Sequence, residues 1–265
     1  MRTREIRNTL RIPRLLALGW MLQMKIIMTS KLQFMLQLIW PIFFATTALL
    51  VYRQSNDPSA LLYAALGSAA MGTWSSVATT ATGALQRERR HGTLELLVGT
   101  PTPFALVMVP ITTAMATMGA YSLIATLLWG RLVFRVRVVI DSPVAFALTF
   151  IVMVLSVALL GFLLSIVTVR YRTAWVLGNL LEYPGWLLCG FVVPLAFLPR
   201  WADQLSWILT PKWGMAALRA AASGEPWIGS LLGCLVLGLA YAALGGVLAR
   251  IVLQSARTHA SISLT

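Results

Sequence analysis

The chain has 265 residues, of which 58% are hydrophobic and 11% charged, with a formal net charge of +13 and a mean hydropathy of +0.81. Soluble domains carry about 25% charged residues because water-facing surface requires them. This composition therefore excludes a secreted disulfide scaffold, a disordered regulator and almost any soluble enzyme. Nor does the positive charge mark a nucleic-acid binder, because the basic residues sit between apolar runs, as loop charges that orient membrane proteins do.

At the N-terminus, Arg2, Arg4, Arg7, Arg11 and Arg14 precede a mixed stretch, 15–31. That stretch reads as an interfacial helix lying on the membrane before the first crossing. Residues 1–31 are too polar, and the first apolar core begins too late, for a cleavable secretory signal. A helix needs about 20 apolar residues to cross about 30 Å of hydrocarbon. Six segments qualify: 32–52, 59–85, 102–130, 143–169, 173–199 and 226–249. Asp57-Pro58, Thr100-Pro101 and Ser142-Pro143 each put a capping side chain before a proline suited to the first helical position. Trp129, Trp175, Trp201, Trp207, Trp213 and Trp227 lie near the expected interfaces, as in an aromatic belt. The fold class expected is all-α and integral to the membrane, in one domain over 1–265.

Two connections are irregular. Between Arg131 and Asp141 the alternation of Val133, Arg135, Val136, Arg137 and Val138 suggests an extended, strand-like turn. Segment 200–225 holds Trp201, Trp207, Trp213 and a Thr210-Pro211 helix start, with apolar runs too short to span, so a re-entrant outer hairpin of two short helices is expected there. Six spans put both termini on one side. With the termini inside, fourteen basic residues fall inside and seven outside, and this bias predicts cytoplasmic termini. Arginine outnumbers lysine eighteen to three, which points to a GC-rich genome and a bacterial cytoplasmic membrane.

Small residues mark helix contacts in lipid, where backbones approach closely. Ala64, Ser68, Gly72, Ser76, Thr80 and Ala84 recur every four residues in the second span, and Gly229, Gly233, Gly238, Ala242 and Gly246 lie along the sixth. Tight packing within the chain, a subunit interface and the lining of a pathway all fit these stripes. Glu182 is the one acid well inside a span, about nine residues or roughly 13 Å from its cytoplasmic end. A carboxylate there costs roughly 2.5–3.5 kcal/mol on insertion scales, so it should face a cavity or a partner, such as an arginine from a neighbouring segment; a direct role in transport and a silent, protonated acid fit the position as well. Cys189 and Cys234 fall in apolar runs and read as small hydrophobes. The chain has no phosphate-cradling GxxxxGK[ST] loop, no metal-ligand spacing and no nucleophile–base constellation. Energy for active transport would have to come from another subunit or an ion gradient.

Between the second and third spans, 86–101 runs Gln-Arg-Glu-Arg-Arg-His-Gly-Thr-Leu-Glu-Leu-Leu-Val-Gly-Thr-Pro. Its charged residues, its apolar edge at Leu94 and Leu97, and Gly92 suit a short amphipathic helix offered to a partner; a solvated loop suits the composition too. The segment resembles the hallmark of permease subunits of type-2 ABC transporters, in Arg87-Glu88-Arg89, then Gly92-Thr93-Leu94-Glu95-Leu96-Leu97, then Thr100-Pro101. Nearly the whole chain is similar to that family, including the amphipathic start, the span layout, the outer hairpin, and Pro194, Leu198-Pro199, Trp201 and Pro211.

The resemblance implies that Arg87, Glu88, Arg89, Arg90, His91, Gly92, Thr93, Leu94, Glu95, Leu96 and Leu97 form a coupling helix seated on a cytoplasmic ATPase subunit. It implies two ATPases per complex, which hold the ATP and Mg, and a second permease chain, identical or related. No cofactor and no catalytic residue is expected in this chain, and its other partner is membrane lipid. Arg89-Arg90-His91 is more basic than the usual pattern, which would tune the fit to one ATPase. The few polar groups in the spans favour export of an amphiphilic, drug-like or antibiotic compound over a polysaccharide or lipid. A gradient-driven transporter would show paired intramembrane charges or interrupted helices, and a membrane enzyme would show a catalytic constellation near an interface.

Overall fold

The computed structural model describes residues 11–54, 58–90, 92, 104–168 and 174–259. Among these residues the fold is all helical, with no strand. In chain order the helices are α1 (Arg11–Thr29), α2 (Lys31–Tyr52), α3 (Pro58–Arg90), α4 (Phe104–Val133), α5 (Pro143–Thr168) and α6 (Ala174–Leu188). A 3₁₀ turn (Leu195–Phe197) then leads to α7 (Arg200–Ser206), α8 (Thr210–Ser223) and α9 (Ile228–His259). Four helical stretches are long and apolar enough to cross a membrane: Phe34–Tyr52, Ala105–Val133, Pro143–Thr168 and Ile228–Val252.

Helix α3 lies at the centre and touches α2, α4, α5, α6 and α8. Its crossing with α4 is close. Thr73 Oγ1 donates to the carbonyls of Ala69, on its own helix, and Gly119, on α4, each at 3.1 Å. Ser122 Oγ returns a 2.5 Å bond to Ala69 O, and Ser76 Oγ reaches Met115 O at 3.3 Å. Gly72 faces Ser122 and Gly119 faces Thr73, so both helices present small residues at the crossing. Around this seam Leu66, Trp74, Met153, Val157, Phe191, Met215 and Leu218 form the main core. Helix α9 packs on α5 and α8 and leaves Leu232, Val236, Leu239 and Val247 exposed, as a lipid-facing helix would.

Three irregular segments meet at one end of the bundle. Tyr52 Oη donates to Val192 O and Tyr63 Oη to Gly190 O, both at 2.7 Å, while Asp141 N–H donates to Ala222 O at 3.1 Å. The connection 134–140 is irregular, with Arg135 in the left-handed region at φ +55°, and it buries Val136 while exposing Arg135 and Arg137. It pairs with no strand and instead folds back on α4, with the Val136 N–H bonded to Gly130 O. The two short helices expected within 200–225 are α7 and α8. The N-terminal helix α1 docks on α4, where Gly19 abuts Pro110 and Trp20 Nε1 donates to Thr117 Oγ1 at 3.2 Å.

The span expected over 173–199 differs most. Its helix, α6, stops at Leu188 and spans only about 22 Å at 1.5 Å per residue. Gly190, at φ +69°, ends it, with Gly190 N–H bonded to Leu187 O and Phe191 N–H to Trp186 O, both 3.0 Å. That pair of bonds is the Schellman pattern. Phe191 and Val192 are apolar because they pack in and against the core, not because the helix continues. Helices α3 and α9 run beyond the expected limits of 85 and 249, to Arg90 and His259.

The seam makes a direct prediction. A Cβ at Gly119 would lie 2.8 Å from Thr73 Cα, which is backbone and cannot rotate away, whereas one at Gly229 meets nothing within 4 Å. Gly119→Ala should therefore cost about 1–3 kcal/mol through overpacking, while Gly229→Ala should be neutral or slightly stabilising through helix propensity. Unfolding of the two variants in mild detergent, monitored by circular dichroism, compares them.

Candidate functional site

The small residues that bring α3 against α4 leave space on the side facing α2 and α6. A cavity of about 610 Å³ lies there, walled by residues of α2, α3, α4 and α6. Gly72, Gly119 and Pro41 line it, and Trp40, Phe44, Tyr183 and Trp186 give it aromatic walls. The rings form a chain of contacts: Trp40 stacks on Phe44 at 5.8 Å, Phe44 meets Trp186 edge-on at 5.2 Å, and Trp186 meets Tyr183 edge-on at 5.0 Å. Two wall residues carry covered polar atoms without a hydrogen-bond partner, Gln37 Oε1 and Trp186 Nε1.

Glu182 stands in this wall, with 9% of its surface exposed. Its carboxylate accepts a hydrogen bond from Ser75 Oγ, across from α3. Trp74 Nε1 donates to the Glu182 backbone carbonyl at 3.2 Å, and the Trp74 ring lies flush against Gly185, where a Cβ would clash. The arginine partner expected from a neighbouring segment is not what the described residues supply; a hydroxyl takes its place. The cavity wall holds no lysine, arginine or histidine among the described residues.

Ala64 and Ser68 are buried, Gly72 packs on Ser122, and Ser76 bonds to Met115 O, so these four face the protein interior. Thr80 and Ala84 lie on α3, but their side chains fall outside the description. In α9, Gly233 lies against the Trp213 ring, which a Cβ there would meet at 2.8 Å, whereas Gly229 faces open space. Of the segment singled out in 86–101, Arg87, Glu88, Arg89 and Arg90 form the last turn of α3, and Gly92 has φ +69°. His91, Thr93, Leu94, Glu95, Leu96 and Leu97 lie outside the described residues. The aromatic walls were not singled out from the sequence, although Trp40/Phe44 and Glu182/Trp186 stand four residues apart, on one helical face each.

A second polar cluster holds the hairpin of α7 and α8. Lys212 Nζ donates to Asp203 Oδ1 at 3.0 Å and lies 4.8 Å from the centre of the Trp207 ring. Trp213 Nε1 donates to Trp207 O at 3.0 Å. Nearby, the Arg219 guanidinium stacks 3.3 Å above the Tyr63 ring, beside a smaller cavity of about 350 Å³.

Long apolar helices packed around a polar seam define a multi-pass membrane protein. The sequence profile of the ABC-2 type transporter family matches residues 3–222, and the chain belongs to that family. No curated protein matches it.

The hairpin cluster carries a pH prediction. The hydrogen bond from Lys212 holds the Asp203 carboxyl below its usual value. A carboxylate with a lowered folded pKa supports the folded state above its unfolded pKa of about 3.9 and loses that support as pH falls through the folded value. The hairpin should therefore be insensitive between pH 7 and 5 and loosen below about 3.9. Asp203→Asn should show the loosened state already at pH 7. Hydrogen exchange over residues 207–213, corrected for intrinsic rates, reads both.

Proposed function

We propose that the chain is the permease subunit of an ATP-binding-cassette exporter, working as a dimer with a second, identical or related permease and driven by two cytoplasmic ATPase subunits. Membership of the ABC-2 family carries this reading. The Gly-Thr-Leu-Glu motif supports the coupling role of 87–97, since it directly follows the helix that walls the cavity. The cargo is an amphiphilic, drug-like compound, a class suited to a cavity with a mostly apolar lining and a few polar groups. ATP and Mg bind the partner, and this chain carries out no hydrolysis.

In this reading α3 and α6 cross the membrane beside the four apolar helices, giving six crossings. Helix α3 is enclosed by its neighbours, so its hydroxyl and small residues do not bar it from the bilayer. Helix α6 goes most of the way, and the turn at Gly190 carries the chain to the end of the bundle where α2, α3 and α5 have their connections. That end is the outer one, and the termini are cytoplasmic. The outer count of seven basic residues overstates the charge facing water there, because Arg219 stacks on Tyr63 and Lys212 pairs with Asp203.

Glu95 provides the test. Captured in mild detergent from its native membrane, the chain should bring down a stoichiometric soluble ATPase. Glu95→Lys should insert normally, yet lose the ATPase and its hydrolysis. Membranes that keep both ATPase binding and export after this reversal would refute the coupling role of 87–97.

A further inference from the structure

We propose that the cavity between α2, α3, α4 and α6 recognises a monovalent organic cation with an apolar body, held by the Glu182 carboxylate and the aromatic walls of Trp40, Phe44, Tyr183 and Trp186. A cavity of about 610 Å³ falls within the roughly 300–1,000 Å³ of small-molecule sites. Its composition selects among ligands. A carboxylate removed from water is costly unless it is paired, and among the described residues the side chain that bonds Glu182 is the neutral hydroxyl of Ser75. With no basic side chain among the described residues of the wall, the missing positive charge is one that a ligand brings.

The aromatic walls act in the same direction. A ring face carries the negative part of its quadrupole, so it attracts a cation and stacks with flat apolar groups. Trp40 and Tyr183, with 52% and 61% of their surface exposed, stand at the rim, while Glu182 lies deeper. A ligand entering past these rings meets aromatic faces first and the carboxylate last, an order that favours a delocalised or shielded cation over a strongly hydrated one. An anion of the same shape meets repulsion from the carboxylate and from the ring faces alike. Calling this ligand the cargo rests on the permease reading; its binding does not.

Two probes of matched shape and opposite charge test the site: tetraphenylphosphonium and tetraphenylborate. The full chain in lipid nanodiscs is titrated with each, tryptophan quenching and calorimetry are recorded, and partition into empty nanodiscs is subtracted. The phosphonium should saturate a single site at least about tenfold more tightly than the borate. Glu182→Gln should weaken the phosphonium by at least about tenfold and erase the preference for charge. Trp186→Leu should weaken it as well, with Trp186→Phe restoring most of the affinity. Equal affinity of the unaltered chain for the two probes overturns the proposal without any variant, as does undiminished phosphonium binding by a folded Glu182→Gln chain. Neither arm contains an ATPase. A chain that binds the cation but captures no ATPase would refute the permease reading and leave this site standing, whereas one that captures the ATPase but ignores probe charge would refute the site alone.

Discussion

The close crossing of α3 and α4 at Gly72, Thr73, Ser76, Gly119 and Ser122 is the constraint on which the rest of the molecule depends. Lipid tails are as apolar as the side chains, so no hydrophobic force draws two helices together within a bilayer; contact and hydrogen bonds must do it. Thr73 and Ser122 place hydroxyls on backbone carbonyls that are already engaged within their own helices, adding bonds without leaving a donor unmet. Each such bond is worth only about 0.6 kcal/mol on average, so the seam relies on several of them and on the absence of side chains between the backbones. At Gly67 the Phe191 carbonyl occupies the place of a Cβ, so the chain after α6 is seated on α3 in the same way. With α4, α6 and the turn after it all referred to one helix, α2 is left to close the fourth side, and the cavity is what it does not fill.

Much of this architecture was legible because hydropathy reports burial in lipid. The runs 32–52 and 143–169 coincide with α2 and α5, bounded by lysine, arginine or proline in the sequence. The same property misled at 173–199. Phe191 and Val192 are apolar because they pack on the protein core, and a single glycine stops the helix without lowering the hydropathy around it. The signal that could have found the stop was Cys189-Gly190 followed four residues later by Pro194, a spacing suited to a helix end. Polar extensions such as those of α3 and α9 were missed for the opposite reason, since their helices persist where apolarity does not.

The site divides in the same manner. Glu182 stood out as a lone acid in a span, but its hydroxyl partner lies 107 residues away, a distance that no local pattern bridges. The choice between an arginine and a serine as partner depends on which face of α3 turns toward α6. That face is set by the α4 seam on one side and by the fit of Trp74 against Gly185 on the other. The aromatic walls likewise become a wall only once α2 and α6 are adjacent, as the Phe44–Trp186 contact places them.

On the permease reading, the form of α3 says how force would reach the cavity. Helices α2, α4 and α6 each carry a proline within their length, Pro41, Pro110 and Pro184, and a proline removes one backbone hydrogen bond and permits bending. Helix α3 has its one proline at its first residue and then runs unbroken through 33 residues to Arg90. Ser75 lies 15 residues before that end, about 22 Å along the axis. A tilt imposed at the Arg90 end by a bound ATPase would thus move Ser75 with little loss to bending. Ser75 holds the Glu182 carboxylate, so the same tilt would strain or release that hydrogen bond and change how well the cavity accommodates a cation. The seam with α4 would act as the fulcrum, since it is where hydrogen bonds and close packing hold α3. On that reading, a helix uninterrupted by proline after its first residue and anchored at its middle, with the proposed coupling segment at one end and the carboxylate's hydroxyl along its length, is the simplest physical route from hydrolysis outside the chain to altered affinity within it.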